Sequence, residues 1–192
     1  MISKYKISNN IMKIFEYYEK YGNKDYIGEE LSQIEHMIQC AMIAEENNED
    51  DYMILACLFH DIGHLIQIEC EEKNKMGKYG LKNHEKIGKQ YLIDCGIPQP
   101  IPDLVESHVS SKRYLTFKNP DYNKNLSEAS KQTLIFQGGP MNKEEAFEFE
   151  NSYIFKRALK LREYDDKAKV KGKKINNLKY YEEMLKRIKV NL

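Results

Sequence analysis

The segment MILACLFHDIGHLI, residues 53–66, constrains this chain more than any other. It is apolar almost all round, so a helix formed from it must lie inside the molecule with other helices around it. Yet it carries His60, Asp61 and His64. An unpaired buried carboxylate costs on the order of several kcal/mol, or shifts its pKa until it is neutral. The fold must therefore bring strong partners to these three side chains. A metal ion is one partner that satisfies imidazole and carboxylate together, and this donor set suits borderline first-row metals such as iron, zinc and manganese.

All five histidines fall between residues 36 and 108, and His36, His60, His84 and His108 recur every 24 residues. No other residues repeat at that period. What matters is that each sits on its own candidate helix, so that a bundle can bring all four to one centre. A lone histidine beside an apolar face is usually a hydrogen-bonded core residue. The combination points elsewhere. Adjacent His60 and Asp61 would project about 100° apart on a helix, able to grip one metal between them or to let Asp61 bridge two. Helical bundles build carboxylate–histidine metal sites in their interiors in this way.

Helical periodicity dominates the rest of the chain. Ile11, Ile14, Phe15 and Tyr18 follow the spacing of an amphipathic helix. The polar stretch GNKDYIGEE leads to Ser32 and Glu35, a capping box that opens a helix with His36, Cys40 and Ile43 on one face. Asp50 and Asp51 supply the next cap. Gly77 and Gly80 mark a loop, and residues 83–95 read as a helix bearing His84. GIPQPIP breaks the chain, and Pro102 suits the first turn of a helix carrying Leu104, Val105 and His108. After a polar connection, helices are expected near 127–136, at 143–164 with room for an interruption, and at 177–190, with a turn at QGGP. With no long linker and no internal repeat, the expectation is one all-α domain over residues 1–192, a helical bundle with a metal site in its core.

A chain of 192 residues, 41% apolar, can bury a substantial core. Zero formal net charge argues against a nucleic-acid or anionic-membrane surface. The lysine-rich stretch 167–179 reads as a solvated loop and helix face, or secondarily as an attractor of an anionic small substrate. Cys40, Cys57, Cys70 and Cys95 form no CxxC pair, and Cys40 and Cys57 lie in apolar segments as reduced thiols do. The start lacks an apolar leader, and no apolar run reaches roughly 18 residues. A soluble cytoplasmic protein is expected, of open oligomeric state.

His36, His60-Asp61 and Asp165 form an H…HD…D pattern that resembles the HD-domain superfamily of metal-dependent enzymes. His84 in KNHEKIG and His108 in ESHVSSKRYL resemble the branch of that superfamily that holds two irons. DYIGEELSQIEH, FHDIGH, YGLKNHEKIG, HVSSKRYL, KNLSEASKQTL, QGGPM and LREYDDKAK together are similar to its mixed-valent diiron oxygenases. The likeness is closest to members that cleave the C–P bond of 2-amino-1-hydroxyethylphosphonate and form glycine. It covers about residues 26–169, and the flanking helices carry little of it.

The resemblance implies one iron held by His36, His60, Asp61 and Asp165, and a second held by His84 and His108, with Asp61 bridging. The choice of Asp165 over Asp166 rests on the family's tryptophan-aspartate step, which reads Tyr164-Asp165 here. It implies a substrate pocket of Tyr26, Glu29, His64, Lys112, Ser130 and Arg162, with Tyr26, Glu29, Asp61 and His64 close to the chemistry. Lys112 and Arg162 would neutralise a phosphonate dianion, Ser130 would add a hydroxyl, and Glu29 would face the substrate ammonium. Tyr26 and Glu29 lie in a glycine-bearing segment compatible with a mobile gate. Without the resemblance, Lys112, Arg113 and Arg162 read as surface charge.

The implied activity takes a small organophosphonate, dioxygen as co-substrate and an Fe(II)/Fe(III) pair, and yields glycine and phosphate. Three other readings stay open. The first is an oxygenase for the N-methylated, trimethylammonio analogue, which would want an aromatic cage; 14 tyrosines and 7 phenylalanines leave that open. The second is an HD phosphohydrolase of a nucleotide or phosphomonoester, which needs only His36, His60, Asp61 and Asp165. The third is a non-enzymatic module whose metal is saturated by protein ligands.

Overall fold

Helix starts follow local chemistry. In the computed structural model, which describes residues 4–26, 28–66, 76 and 80–190, α1 spans Lys4–Tyr21 and buries Ile11, Ile14, Phe15 and Tyr18. Cys70 and Gly77 lie outside the described residues. α2 (Gln33–Glu46) begins at the expected capping box: the Glu35 N–H donates to Ser32 Oγ at 3.3 Å, and the Ser32 N–H donates to Glu35 Oε2 at 2.7 Å. α3 (Asp51–Phe59) is capped by Asp50, which accepts from the Met53 N–H at 2.9 Å, and every residue from Met53 to Phe59 is buried.

The apolar run does not form one helix, which corrects the expectation of a continuous rod from Met53 to Ile66. α3 ends at Phe59, His60 and Asp61 form a turn, and α4 (Ile62–Ile66) resumes. At the break the His64 N–H donates to the Asp61 carbonyl at 3.0 Å, an i→i+3 bond that tightens the chain out of the α-helical ladder. The His60 Nδ1 lies 2.7 Å from the Cys57 carbonyl and satisfies an acceptor that a helix end leaves bare. Gly63 then lets α4 meet α5 (His84–Asp94) closely, since a Cβ there would collide with the His84 carbonyl.

α6 (Ile101–Lys118) carries Pro102 in its first turn as expected. The polar connection contains a short helix the sequence did not suggest, α7 (Pro120–Asn125), capped by the Asn119 side chain. α8 (Glu128–Phe136) follows, and the long expected helix at 143–164 is indeed divided, into α9 (Lys143–Glu150) and α10 (Phe155–Lys167). α11 (Leu178–Val190) ends the described chain.

α3 lies at the centre, packed against α2, α6, α10 and α11, while α10 also crosses α2 and α6. α5 joins α4 to α6, and α1 closes one side against α11. Arg113 is not loose surface charge. It donates to the Gly139 carbonyl at 2.9 Å and to the Glu145 carboxylate at 2.8 and 2.9 Å, which ties α6 to the start of α9. Among the described residues no helix is long and apolar enough to cross a membrane.

Candidate metal centre

Separate elements deliver the six expected ligands to one place. His36 comes from the first turn of α2, His60 and Asp61 from the break between α3 and α4, His84 from the start of α5, His108 from mid-α6 and Asp165 from the last turn of α10. None is more than 5% exposed. They form two triads, His36–His60–Asp165 and Asp61–His84–His108, with the ligand atoms of each within 4.8 Å of one another.

Asp61 stands between the triads. Its Oδ2 lies 3.4 Å from His60 Nε2 and 3.7 Å from His36 Nε2. Its Oδ1 lies 3.3 Å from His84 Nε2 and 3.5 Å from His108 Nε2. Asp165 Oδ1 is 3.2 Å from His36 Nε2, whereas Asp166 turns away to Arg162.

The outward nitrogens settle the tautomers. Nδ1 of His36, His60, His84 and His108 meets the carbonyls of Ala168, Cys57, Leu81 and Val105 at 2.9, 2.7, 3.1 and 2.6 Å. A carbonyl only accepts, so each Nδ1 carries a proton and each Nε2 points inward, with a lone pair to offer a metal whenever its ring is neutral. The Nε2 atoms face each other at 3.0 Å for His36–His60 and 2.9 Å for His84–His108, closer than two lone pairs tolerate without a proton or a metal ion between them. Burial, followed by the neighbouring His84 ring, holds His108 well below the ordinary histidine range. At His60 burial acts the same way but is outweighed chiefly by Asp61, which raises its pKa. Burial pushes Asp61 and Asp165 up, yet His60 and Arg162 respectively outweigh it and keep both carboxyls ionised. Four inward imidazole nitrogens and two carboxylates thus fit a pair of first-row metal ions.

A cavity of about 620 Å³, counted to its open mouth, reaches this centre at Asp61, His84, His108 and Asp165. Tyr26, Glu29, His64, Lys112, Ser130 and Arg162 all line it. Tyr26 stacks on His36, ring centroids 4.1 Å apart, and His64 stacks on His84 at 4.0 Å. His64 Nδ1 accepts the Leu81 N–H at 3.4 Å, which leaves the ring proton on Nε2. Burial and then His84 pull the His64 pKa down to about 3, so the ring is neutral near pH 7.

Lys112 is 4% exposed and donates to the Thr133 hydroxyl at 2.9 Å. Burial, then the neighbouring Arg162, lowers its ammonium to about 7. Arg162 donates through Nη1 to Asp165 Oδ2 at 2.8 Å and through Nη2 to Asp166.

Sequence reasoning missed Gln33, Thr133, Gln137 and Lys169 of the cavity wall. Lys169 belongs to the lysine-rich stretch read first as solvated and secondarily as an attractor of an anionic substrate. Its Nζ turns inward to 3.5 Å from Glu29 Oε1, while Lys171 and Lys173 pair with Glu30 and Glu46 outside.

The HD-domain family model matches residues 34–136, the stretch that holds the four inward histidines and Asp61. The chain belongs to the HD-domain family. It is 47% identical over 180 residues to an uncharacterized protein of Acanthamoeba polyphaga mimivirus, covering 94% of this chain and 82% of that one. It is 35% identical over 173 residues to the 1-hydroxy-2-(trimethylamino)ethylphosphonate dioxygenase (glycine-betaine-forming) of Leisingera caerulea, covering 88% and 84%. It is 36% identical over 171 residues to the hydroxymethylphosphonate dioxygenase of Gimesia maris, covering 89% and 84%. Two dioxygenases matched over most of their length place this HD domain in the family's oxygenase branch.

Proposed function

We propose that this HD domain is a diiron oxygenase that uses dioxygen to cleave the C–P bond of 2-amino-1-hydroxyethylphosphonate, forming glycine and phosphate. The observation that carries the reading is Asp61, with one carboxylate oxygen toward each histidine pair, at the inner end of a cavity that also holds Lys112. A phosphohydrolase built on His36, His60, Asp61 and Asp165 would leave His84 and His108 without work, yet both turn Nε2 to the same centre.

His36, His60, Asp61 and Asp165 would hold one iron, and Asp61, His84 and His108 the other. Iron bound there would supply Lewis acidity toward the hydroxyl and phosphonate oxygens and one-electron chemistry with dioxygen. Substrate plus O2 contains all the atoms of glycine plus phosphate, so no outside reductant is required: one C–H bond and the C–P bond break as that carbon becomes a carboxylate. Lys112 and Ser130 bind the phosphonate, with Thr133 orienting the Lys112 ammonium. His64 donates from Nε2, and Glu29 takes the substrate ammonium.

The surroundings of the amine support a primary ammonium. A quaternary ammonium is held by several aromatic faces. Among the described residues, Tyr26 is the one tyrosine or phenylalanine of the cavity wall, and its ring already stacks on His36. Glu29 offers instead a carboxylate suited to a primary ammonium.

The test loads the protein with ferrous iron without oxygen. Oxygen is then admitted with 2-amino-1-hydroxyethylphosphonate, its trimethylammonio analogue or hydroxymethylphosphonate. Equal yields of glycine and phosphate from the first, well above turnover of the others, are expected. Oxygen-independent phosphate release from nucleotides, with no glycine, would overturn the proposal in favour of a hydrolase.

A further inference from the structure

Arg162 touches the ligand Asp165 and also lines the cavity, and its orientation is fixed by two residues that belong to neither. Asp166 covers one edge of the guanidinium, accepting from Nε at 3.2 Å and from Nη2. Tyr122 Oη accepts from Arg162 Nε at 2.9 Å and donates to Asp166 Oδ2 at 2.6 Å, which closes a three-membered ring of hydrogen bonds. The remaining edge leaves Nη1 to donate to Asp165 Oδ2 at 2.8 Å, while Asp165 Oδ1 faces His36 Nε2 at 3.2 Å.

We propose that Asp166 and Tyr122 are positioning residues of the metal centre: they lock Arg162 so that Asp165 presents a single oxygen to the His36–His60 pair. On a bare helix, Arg162 can reach the carboxylates at i+3 and i+4 equally, and a swap between them would release Asp165 to turn. Tyr122, brought in on α7, breaks that tie by binding both Asp166 and Nε. Charge acts in the same direction. Arg162 with Asp165 alone would form a neutral pair and a weak donor to a cation. Asp166 restores a net negative charge and keeps Asp165 available to a metal. Arg162 has five N–H groups, so a second N–H on Nη1 and one on Nη2 remain for an anion in the cavity. One guanidinium therefore connects ligand geometry to anion binding.

The inference rests on the proposed two-metal centre but not on the identity of the substrate. Its test compares wild type with Tyr122→Phe and Asp166→Asn, two near-isosteric changes. Tyr164→Phe is the control; its hydroxyl bonds Glu49 on the far side of the same helix. Each protein is titrated anaerobically with ferrous ion by calorimetry, and the partly oxidised centre is read by EPR. Asp166→Asn should weaken one of the two binding events about 10- to 100-fold, the range for outer partners of metal ligands. Tyr122→Phe should weaken the same event less, both should broaden the EPR signal, and Tyr164→Phe should match wild type. If Asp166→Asn fails to fold, Tyr122→Phe decides alone. Two wild-type affinities and an unchanged spectrum in both variants would overturn the inference. A wild-type protein that binds fewer than two ions would instead remove the metal-centre proposal beneath it.

Discussion

His36 and Ala168, 132 positions apart, are joined by one hydrogen bond, the ring Nδ1 donating to the carbonyl at 2.9 Å. That bond fixes the end of α10 to the ligand-bearing face of α2, so His36, Asp165 and Lys169 share one junction. Gln39 secures the same junction, donating to the Val170 carbonyl at 2.9 Å and accepting the Val170 N–H at 3.0 Å. Gln39→Ala should therefore cost about 1–2 kcal/mol for two lost hydrogen bonds. It should also weaken metal binding at the adjoining triad. Thermal unfolding with and without iron checks both, and an unchanged iron affinity would separate this junction from the centre.

Asp61→Asn should abolish the paired-iron EPR signal and lower turnover by more than about 100-fold, beyond the loss seen for outer partners. The amide presents one oxygen and one NH2 group, so it cannot offer an acceptor to both histidine pairs. Retained turnover with a coupled signal would contradict the bridging role.

Removing the metal should lower the stability of the folded chain. With the ion at about 1,000 times its Kd, binding to the folded state alone contributes about 4 kcal/mol. For a chain of this size, that corresponds to a fall in Tm of about 8–16 °C on chelation. Scanning calorimetry with excess chelator measures it, and an unmoved Tm would argue against an ion in this core.

Lys112 gives the pH dependence. Below about 7 its ammonium is charged in the folded and unfolded states alike, and the cost of burying it is fully present. Above that value the folded protein sheds the proton while the unfolded chain holds it to about 10.4. The stability of the metal-free protein therefore rises with pH through this window. Anion affinity should run the other way, since a phosphonate bound there would need the ammonium, and should fall as pH climbs past about 7. Lys112→Arg keeps its charge and should flatten the profile. Measuring KM from about pH 6 to 9 decides; a level wild-type curve would remove Lys112 from the phosphonate site.

Gly63→Ala tests the contact between α4 and α5. The added Cβ meets the main chain of His84, which cannot swing aside as a side chain would. A loss of about 3 kcal/mol or more is expected, with His84 displaced from its partner Asp61. Chemical denaturation measures the first effect and iron stoichiometry the second; wild-type values in both would show that the backbones have room to part.

What could be read beforehand was what depends on a few neighbouring residues or on residue type alone. The Ser32–Glu35 box and the Asp50 cap are complete within four positions. His60 and Asp61 stand out because imidazole and carboxylate are costly in apolar surroundings, whereas Asp165, inside the charged run LREYDDKAK, was singled out from Asp166 only by the resemblance. The break at His60–Asp61 was hidden because both faces of that run are buried, so periodicity passes through it unchanged. α7 is short and polar, with no buried residue to announce it. Lys169 looked like its neighbours Lys171 and Lys173 until the fold turned it inward. Arg162 could be recognised as a cation, but its engagement by Tyr122, 40 residues away, is a tertiary fact.

Three of the four imidazoles take their outer partner from the carbonyl three residues earlier in the same chain, and the fourth takes it from Ala168. Peptide oxygens are present whatever amino acid occupies the position. Mutational drift in the surrounding wall can therefore reshape which molecules enter while the inward nitrogens keep their aim.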